Sequence, residues 1–347
     1  MPGTSGAAEG GAATARDREE AHGPLWWPQG PLPLELGGRH YDLATRALVV
    51  GILNRTTDSF YDQGAYFSLD SFFARAEELA SEGADVLDVG GVKAGPGPEV
   101  SEEEELERVV PVVASLRERF DVPISVDTWR ASVAAEAYRA GAVLGNDISG
   151  FADPDYLPAA AAAGASVVAT HIRLAPRVPD PEPHYDDITA EVAGFLLERA
   201  SRALASGIPP ERIILDAGLD LGKTAEQSLL LLQRSSTLAS LGYPLLLSSS
   251  NKTFLGVLLG LGIGERHSAS LASAALGIAG GCRLIRVHDV AGTCKVRDLL
   301  QAILESAPAP RDRPPTVPAH AARAAAAARD HEGGETVPVP TRETEHG

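Results

Sequence analysis

The stretch Ala47-Leu48-Val49-Val50-Gly51-Ile52-Leu53-Asn54 decides the fold. It is a short, unbroken apolar run that ends on a polar amide. A loop follows, and then residues with helical spacing. A run without polar alternation is what a parallel strand buried on both faces requires. The same unit recurs at Asp85–Gly91, Pro123–Thr128, Ala142–Ile148, Ser166–His171, Arg212–Gly218, Pro244–Ser250 and Cys282–Val290. Polar groups stand where these runs finish: Asn54, Asp88, Asp127, Asn146, Asp147, His171, Asp216, Lys252, Arg286, His288 and Asp289. Alternating strand and helix leaves a doubly wound sheet as the rival architecture. Eight repeats with no break between halves predict a closed (β/α)8 TIM barrel, an α/β fold with its site on the C-terminal face.

The intervening segments read as helices. Leu69, Phe72, Phe73, Ala76 and Leu79 repeat at helical spacing, and Gly83 closes that run. Ser101 followed by Glu104 is a capping-box pattern. The face behind it is expected to comprise Leu106, Val109, Val110, Val113 and Leu116, with Pro111 as a source of a kink. Further helices are expected over 130–140, 153–163, 187–206, 225–241, 265–279 and 295–305.

A chain of 347 residues holds one barrel of about 250 residues with extensions at both ends. The barrel is placed at 41–306. Residues 1–40 form an N-terminal extension, expected to be partly disordered. Its Trp26, Trp27, Leu32, Leu34 and Leu36 would make a short hairpin or pack across the barrel's N-terminal end. Residues 307–347 form a Pro-, Ala- and acid-rich tail, expected to be disordered, with one possible helix over 319–329. The net charge of -17 argues against a nucleic-acid partner, which calls for clustered cations. Cys282 and Cys294 lack zinc-type companions and read as reduced thiols. With no apolar leader and no membrane-length apolar run, the expected location is the cytoplasm.

Singly, the polar positions have bland readings. Asp127 before Thr128 could cap the next helix, Asn146 and Asp147 could form a turn, His288 could be a core histidine and Lys252 a surface lysine. Together they compose a pocket. Asp127, Asn146 and Asp216 can pair with a flat, nitrogen-rich ring, and Lys252 can donate to it. Arg286 and His288 can hold an anion, and Asn54 its metal ion.

At this point the chain resembles the dihydropteroate synthase family, over about residues 47 to 304. The motifs are Gly51-Ile52-Leu53-Asn54, Ser125-Val126-Asp127-Thr128, Gly145-Asn146-Asp147, the Asp216 to Lys223 loop, Ser250-Asn251-Lys252-Thr253 and Arg286-Val287-His288-Asp289. The resemblance implies joining of 6-hydroxymethyl-7,8-dihydropterin pyrophosphate to p-aminobenzoate, with release of pyrophosphate and use of Mg2+. It implies that Asp127, Asn146, Asp216 and Lys252 bind the pterin. Arg286 and His288 would take the pyrophosphate, and Asn54 the metal. Asp58, Phe60 and Asp62 match the family's first mobile loop, with Asp58, Asp62 and Lys252 in the catalytic set. Phe60, Lys93 and Thr253 fall in the amine subsite, Thr253 standing where the family usually has a serine touching p-aminobenzoate. A homodimer is implied as well.

The chain also departs from the family. The second loop reads Gly90-Gly91-Val92-Lys93-Ala94-Gly95-Pro96-Gly97, where the family has Gly-Gly-Glu-Ser-Thr-Arg-Pro-Gly. The carboxylate, both hydroxyls and the guanidinium are gone, and Lys93 cannot reproduce a bidentate Arg. After the sixth strand, Ala217, Asp220 and Leu221 replace Pro, Gly and Phe, and Asn251 replaces an Arg. These features resemble the divergent second branch of the family in actinobacteria. They leave two further readings open: a catalytically inactive pterin-binding paralogue, and a transferase for a different amine.

Overall fold

The computed structural model describes residues 25–26, 28, 32–55, 68–95 and 97–306. The chain opens with an antiparallel hairpin, β1 (Pro33–Leu36) and β2 (Arg39–Asp42), in which Leu34 faces Tyr41. Eight parallel strands follow: β3 (Leu48–Asn54), β4 (Val86–Gly90), β5 (Ile124–Asp127), β6 (Leu144–Asp147), β7 (Ser166–Thr170), β8 (Ile213–Asp216), β9 (Leu245–Leu247) and β10 (Cys282–Val287). Each pairs with the next, and β10 pairs with β3, which closes the barrel. The helices are α1 (Leu69–Ser81), α2 (Glu102–Arg119), α3 (Ala131–Ala140), α4 (Tyr156–Ala163), α5 (Ile188–Ala205), α6 (Ala225–Gln233), α7 (Ser235–Ala239), α8 (Thr253–Leu259), α9 (His267–Ala279) and α10 (Val290–Ser306).

Strand alternation sorts the core into two parts. Val49, Leu87, Val126, Val167, Ile213, Leu245 and Ile285 pack outward with the helices. Leu48, Val50, Val86, Leu144, Val168, Ile214, Leu246 and Leu284 pack inward at the N-terminal end. Leu32, Leu34, Leu36 and Leu43 join this inner cluster, so the hairpin plugs the bottom of the barrel. Ser166 Oγ donates to the Glu35 carbonyl, and Arg212 Nη2 meets Glu35 Oε1 at 2.5 Å. With the lower interior filled by Leu and Val, the inward positions higher on each strand are left for polar groups.

Several helices differ from expectation for local reasons. In α2 the buried face is Glu105, Arg108, Val109, Val112, Val113 and Leu116, while Leu106 and Val110 are half-exposed. The stripe turns because Glu105 pairs with Arg130, and Arg108 Nη1 donates to the Gly91 carbonyl at 2.9 Å. The stretch expected as one helix over 225–241 divides at Arg234 into α6 and α7. The run expected as strand through Ser250 ends at Leu247, and α8 was not anticipated because its apolar residues sit beside that run. The last helix, expected over 295–305, begins at Val290, because β10 ends at Val287 and not at Val290. The suggested helix over 319–329 lies outside the described residues. No described helix is long and apolar enough to cross a membrane.

Candidate active site

The inward positions at the C-terminal end form a polar ring. Parallel register sets Asn54 beside Gly90, Gly90 beside Asp127, and Asp127 beside Asn146. Thr170 stands beside Asp216 on the far wall. Asn146 is 4% exposed and Asp216 6%, so these groups line the barrel and do not wave at its rim.

Asp127 does not cap α3. That helix receives its cap from Asp153 Oδ2, which accepts from Ala131 N at 3.0 Å, and Thr128 Oγ1 accepts from Arg130 N at 3.3 Å. The Asp127 carboxylate instead turns across the barrel to Arg286 Nη2 at 2.6 Å. Arg286 Nε donates to Asp88 Oδ2, also at 2.6 Å. One guanidinium therefore bridges two carboxylates, and these hold its pKa above the usual arginine range against the pull of burial. Burial pushes Asp127 up to about 7, with Asp88 and Glu105 adding to the rise and Arg286 and Lys252 opposing it. With Asp127 ionised, two carboxylates on one guanidinium leave a net negative cluster, which favours a ligand that brings N–H donors. Asp88 Oδ1 and Ser125 Oγ, in register on β4 and β5, are buried in this ring with no hydrogen-bond partner among the described residues.

Asp147 is a turn former: its carboxylate accepts from Ser149 N at 2.6 Å and Phe151 N at 2.9 Å. Asp216 Oδ1 accepts from Gly218 N at 2.8 Å, and burial raises its pKa. Gly218 has φ +64°, and a Cβ there would lie 1.9 Å from the His171 carbonyl oxygen, so only glycine fits the turn beneath Asp216. Lys252 Nζ donates to the Leu219 carbonyl at 2.8 Å. His288 Nδ1 lies 3.0 Å from Ser250 Oγ, and its backbone carbonyl accepts from Arg75 Nη2 at 2.6 Å. Burial, with the positive charges of Arg286, Arg75 and Lys252, pulls His288 down to about 3. Arg75 and Lys252 bring positive charge to this corner that Asp88 and Asp127 do not neutralise as they do that of Arg286. A small cleft opens beside it, lined among others by Asn251, His267 and Asp289.

Thr253 begins α8 and is exposed. Lys93 lies on the loop after β4 with its Cε 3.7 Å from where a Gly95 Cβ would stand, and Val92 is buried. Asp58, Phe60 and Asp62 lie outside the described residues. The structure adds Arg75, which no motif singled out, and it gives roles to Asp88, a strand-end group, and to Lys223, the last residue of the loop after β8.

Lys223 is 8% exposed, and its Nζ donates to His171 Nδ1 at 2.8 Å, Gly218 O at 2.8 Å and Leu221 O at 2.9 Å. It thereby fixes the loop that carries Asp216 and Leu219. Burial pulls Lys223 down to about 7 from 10.5. Between these values the unfolded chain binds the proton and the folded chain releases it, so this group's contribution to stability rises with pH. We expect urea midpoints to rise from pH 7 to 9, and the rise to shrink in Lys223→Met. An equal rise in both proteins would assign it to other groups.

The site is built like that of an enzyme that grips a flat polar ring beside an anion. The family model described as pterin binding enzyme matches residues 50–288. The chain belongs to that family, within its dihydropteroate synthase group. The protein named inactive dihydropteroate synthase 2 of Mycobacterium leprae is 43% identical over 279 residues, covering 79% of this chain and 94% of that protein. The dihydropteroate synthase of Synechocystis is 42% identical over 276 residues, covering 78% of this chain and 96% of that one. Among solved structures, Xanthomonas albilineans dihydropteroate synthase with 4-aminobenzoic acid superposes with a TM-score of 0.73 at 38% identity, covering 80% of this chain and 100% of that one.

Proposed function

We propose that the protein transfers a pterin. It binds 6-hydroxymethyl-7,8-dihydropterin pyrophosphate and joins the pterin methylene carbon to the nitrogen of an amine, p-aminobenzoate being the family's acceptor. The observation that carries this reading is the ring on which register and alternation place Asp127, Asn146 and Asp216 together, with Lys252 held at its edge by Leu219. Carboxylates and an amide there match the donors and acceptors of an aminopyrimidinone-like ring. The C–O bond to pyrophosphate breaks with its electron pair leaving on oxygen. Positive charge develops at the methylene carbon, where the buried carboxylates favour it. The amine nitrogen then forms the C–N bond and gives up a proton. Asp58 and Asp62 are proposed to act from the first loop as the pterin and amine meet. The protein's work is electrostatic and positional, and no covalent intermediate is invoked.

Mg2+ fits this arrangement as a companion of the pyrophosphate. Among the described residues no trio of His, Cys, Asp or Glu converges to hold a resident ion. Asn54 offers a neutral oxygen of the type Mg2+ accepts. A Cβ on Gly90 would lie 3.8 Å from Asn54 Oδ1 and 3.7 Å from Asp127 Oδ2, so the bare glycine keeps the space between them open. Asn54 would hold the ion together with phosphate oxygens, and when bound the ion supplies charge neutralisation for the leaving group. Arg286, whose guanidinium also bridges Asp88 and Asp127, and His288, with Arg75 on its carbonyl, would receive the departing pyrophosphate. We place the protein in the cytoplasm as a homodimer, with residues 41–306 as the working domain.

A second reading is a pterin-binding protein without synthase activity. The second loop favours it, because Val92 and Gly95 stand where the family has a carboxylate and a guanidinium. The experiment that separates the two is pyrophosphate release from the dihydropterin pyrophosphate with Mg2+, with and without an amine. Amine-dependent release is the expected result. Binding without release would establish the second reading, and absence of binding would remove the pterin assignment itself.

A further inference from the structure

We infer that Asp220 determines the class of amine this site accepts: an amine that carries no carboxylate. The inference rests on the pterin-transfer reading and refines its second substrate. Asp220 occupies a position where the family has glycine, and it keeps the backbone that glycine would take, with φ 67°. A non-glycine residue there is strained, and something must hold it in place. The holding contacts belong to its carboxylate. Oδ2 accepts from Thr253 N at 2.5 Å, and Oδ1 accepts from Phe254 N at 3.2 Å. Asp220 N in turn donates to Ser228 Oγ at 3.1 Å.

The consequence lies at Thr253, the residue assigned to the amine subsite. Its backbone N–H and that of Phe254 are donors an acidic amine could use, and both are already engaged by a carboxylate built into the chain. A p-aminobenzoate carboxylate brought to Thr253 would meet a fixed negative charge and donors already in use. The cations around this point are held by other groups: Lys223, whose charge Asp220 faces, is directed to His171, Gly218 and Leu221, and Lys93 stands across the site on the loop after β4. Lys252 Nζ is directed to the Leu219 carbonyl, and Arg266 Nη1 to the carbonyls of Asn251 and Lys252. On the opposite loop the family's guanidinium is replaced by Gly95. An arylamine with a neutral amide or ester in place of the carboxylate escapes the repulsion and keeps the nucleophilic nitrogen.

The test compares p-aminobenzoate with p-aminobenzamide, which differ in charge and little in shape. Equilibrium binding of each would be measured to the full-length protein saturated with dihydropterin pyrophosphate and Mg2+, alongside pyrophosphate release. Wild type is expected to bind p-aminobenzamide at least tenfold more tightly. Asp220→Asn keeps an oxygen for Thr253 and Phe254, tolerates the left-handed backbone and removes the charge. It is expected to narrow the ratio at least fivefold. Asp220→Gly also frees the donors and is expected to bring p-aminobenzoate level with the amide or ahead of it. Equal affinities in wild type, a ratio unmoved by both substitutions, or failure of both amines to bind any of the three proteins would overturn the inference. Lack of dihydropterin pyrophosphate binding would instead show as an empty first titration, and would overturn the pterin reading on which it stands.

Discussion

Arg283→Met will destabilise the protein by roughly 3–5 kcal/mol, the scale at which a buried polar network loses its central partner. Arg283 is 0% exposed and sits at the plugged end of the barrel. Its Nε donates to the Leu43 carbonyl at 2.8 Å, Nη1 to Ile278 at 2.9 Å and Cys282 at 3.1 Å, and Nη2 to Ala44 at 3.3 Å. Trp26 covers the guanidinium, with its ring centroid 5.3 Å away. Burial pulls the group down to about 10, the sign of a cation solvated by carbonyl oxygens in place of water. Methionine fills similar volume but donates nothing, so four carbonyls lose their donor at once. The hairpin depends on this, because Leu43 and Ala44 join β2 to β3. The urea midpoint should fall with little change in slope. A loss under about 1 kcal/mol would mean that the N-terminal end admits water or rearranges easily.

That contrast between bottom and top of the barrel explains what could be read in advance. Parallel strands buried on both faces leave unbroken apolar runs, and a polar residue at each C-terminal end is a local signal. Eight such signals in order are hard to produce any other way. Strand ends were less legible. The seventh run, expected through Ser250, ends as strand at Leu247, and the three serines that follow turn the chain toward α8. The chemistry of the ring was legible only as residue types. Asp127 admitted two readings because capping depends on where a carboxylate points, and the competing cap, Asp153, lies 22 residues from the Ala131 N–H it accepts. Asp88 and Arg286 are separated by 198 residues, so their ion pair has no local trace. Asp220 was visible as a departure from glycine, yet its reach to Thr253 across 33 residues needed coordinates. Lys223 stood in the loop motif after the sixth strand, but its burial beneath the site needed coordinates.

Asp127→Asn is expected to lower kcat/KM for pyrophosphate release about 100- to 1000-fold, the range for loss of one preorganised electrostatic contact to a developing charge. Two effects combine. The carboxylate that would face the positive pterin is lost, and among the described residues Arg286 keeps Asp88 as its ion-pair partner, with Asp216 acting at longer range. The guanidinium then becomes more repulsive to a ring gaining positive charge. Folding should respond differently. Since burial raises Asp127 from 3.8 to about 7, the folded chain binds this proton more tightly than the unfolded chain. The contribution of this group to stability is therefore present at low pH and declines as pH rises through that window. Asparagine holds a neutral group there at every pH. The lost ion pair and the relieved desolvation oppose one another, so stability at pH 8 should stay within about 1 kcal/mol of wild type. The decline between pH 4 and 7 should flatten in the variant. Near-native melting with pyrophosphate release reduced at least 100-fold would assign Asp127 to the pterin's charge. Undiminished release would remove it from the site and leave its pairing with Arg286 as architecture alone.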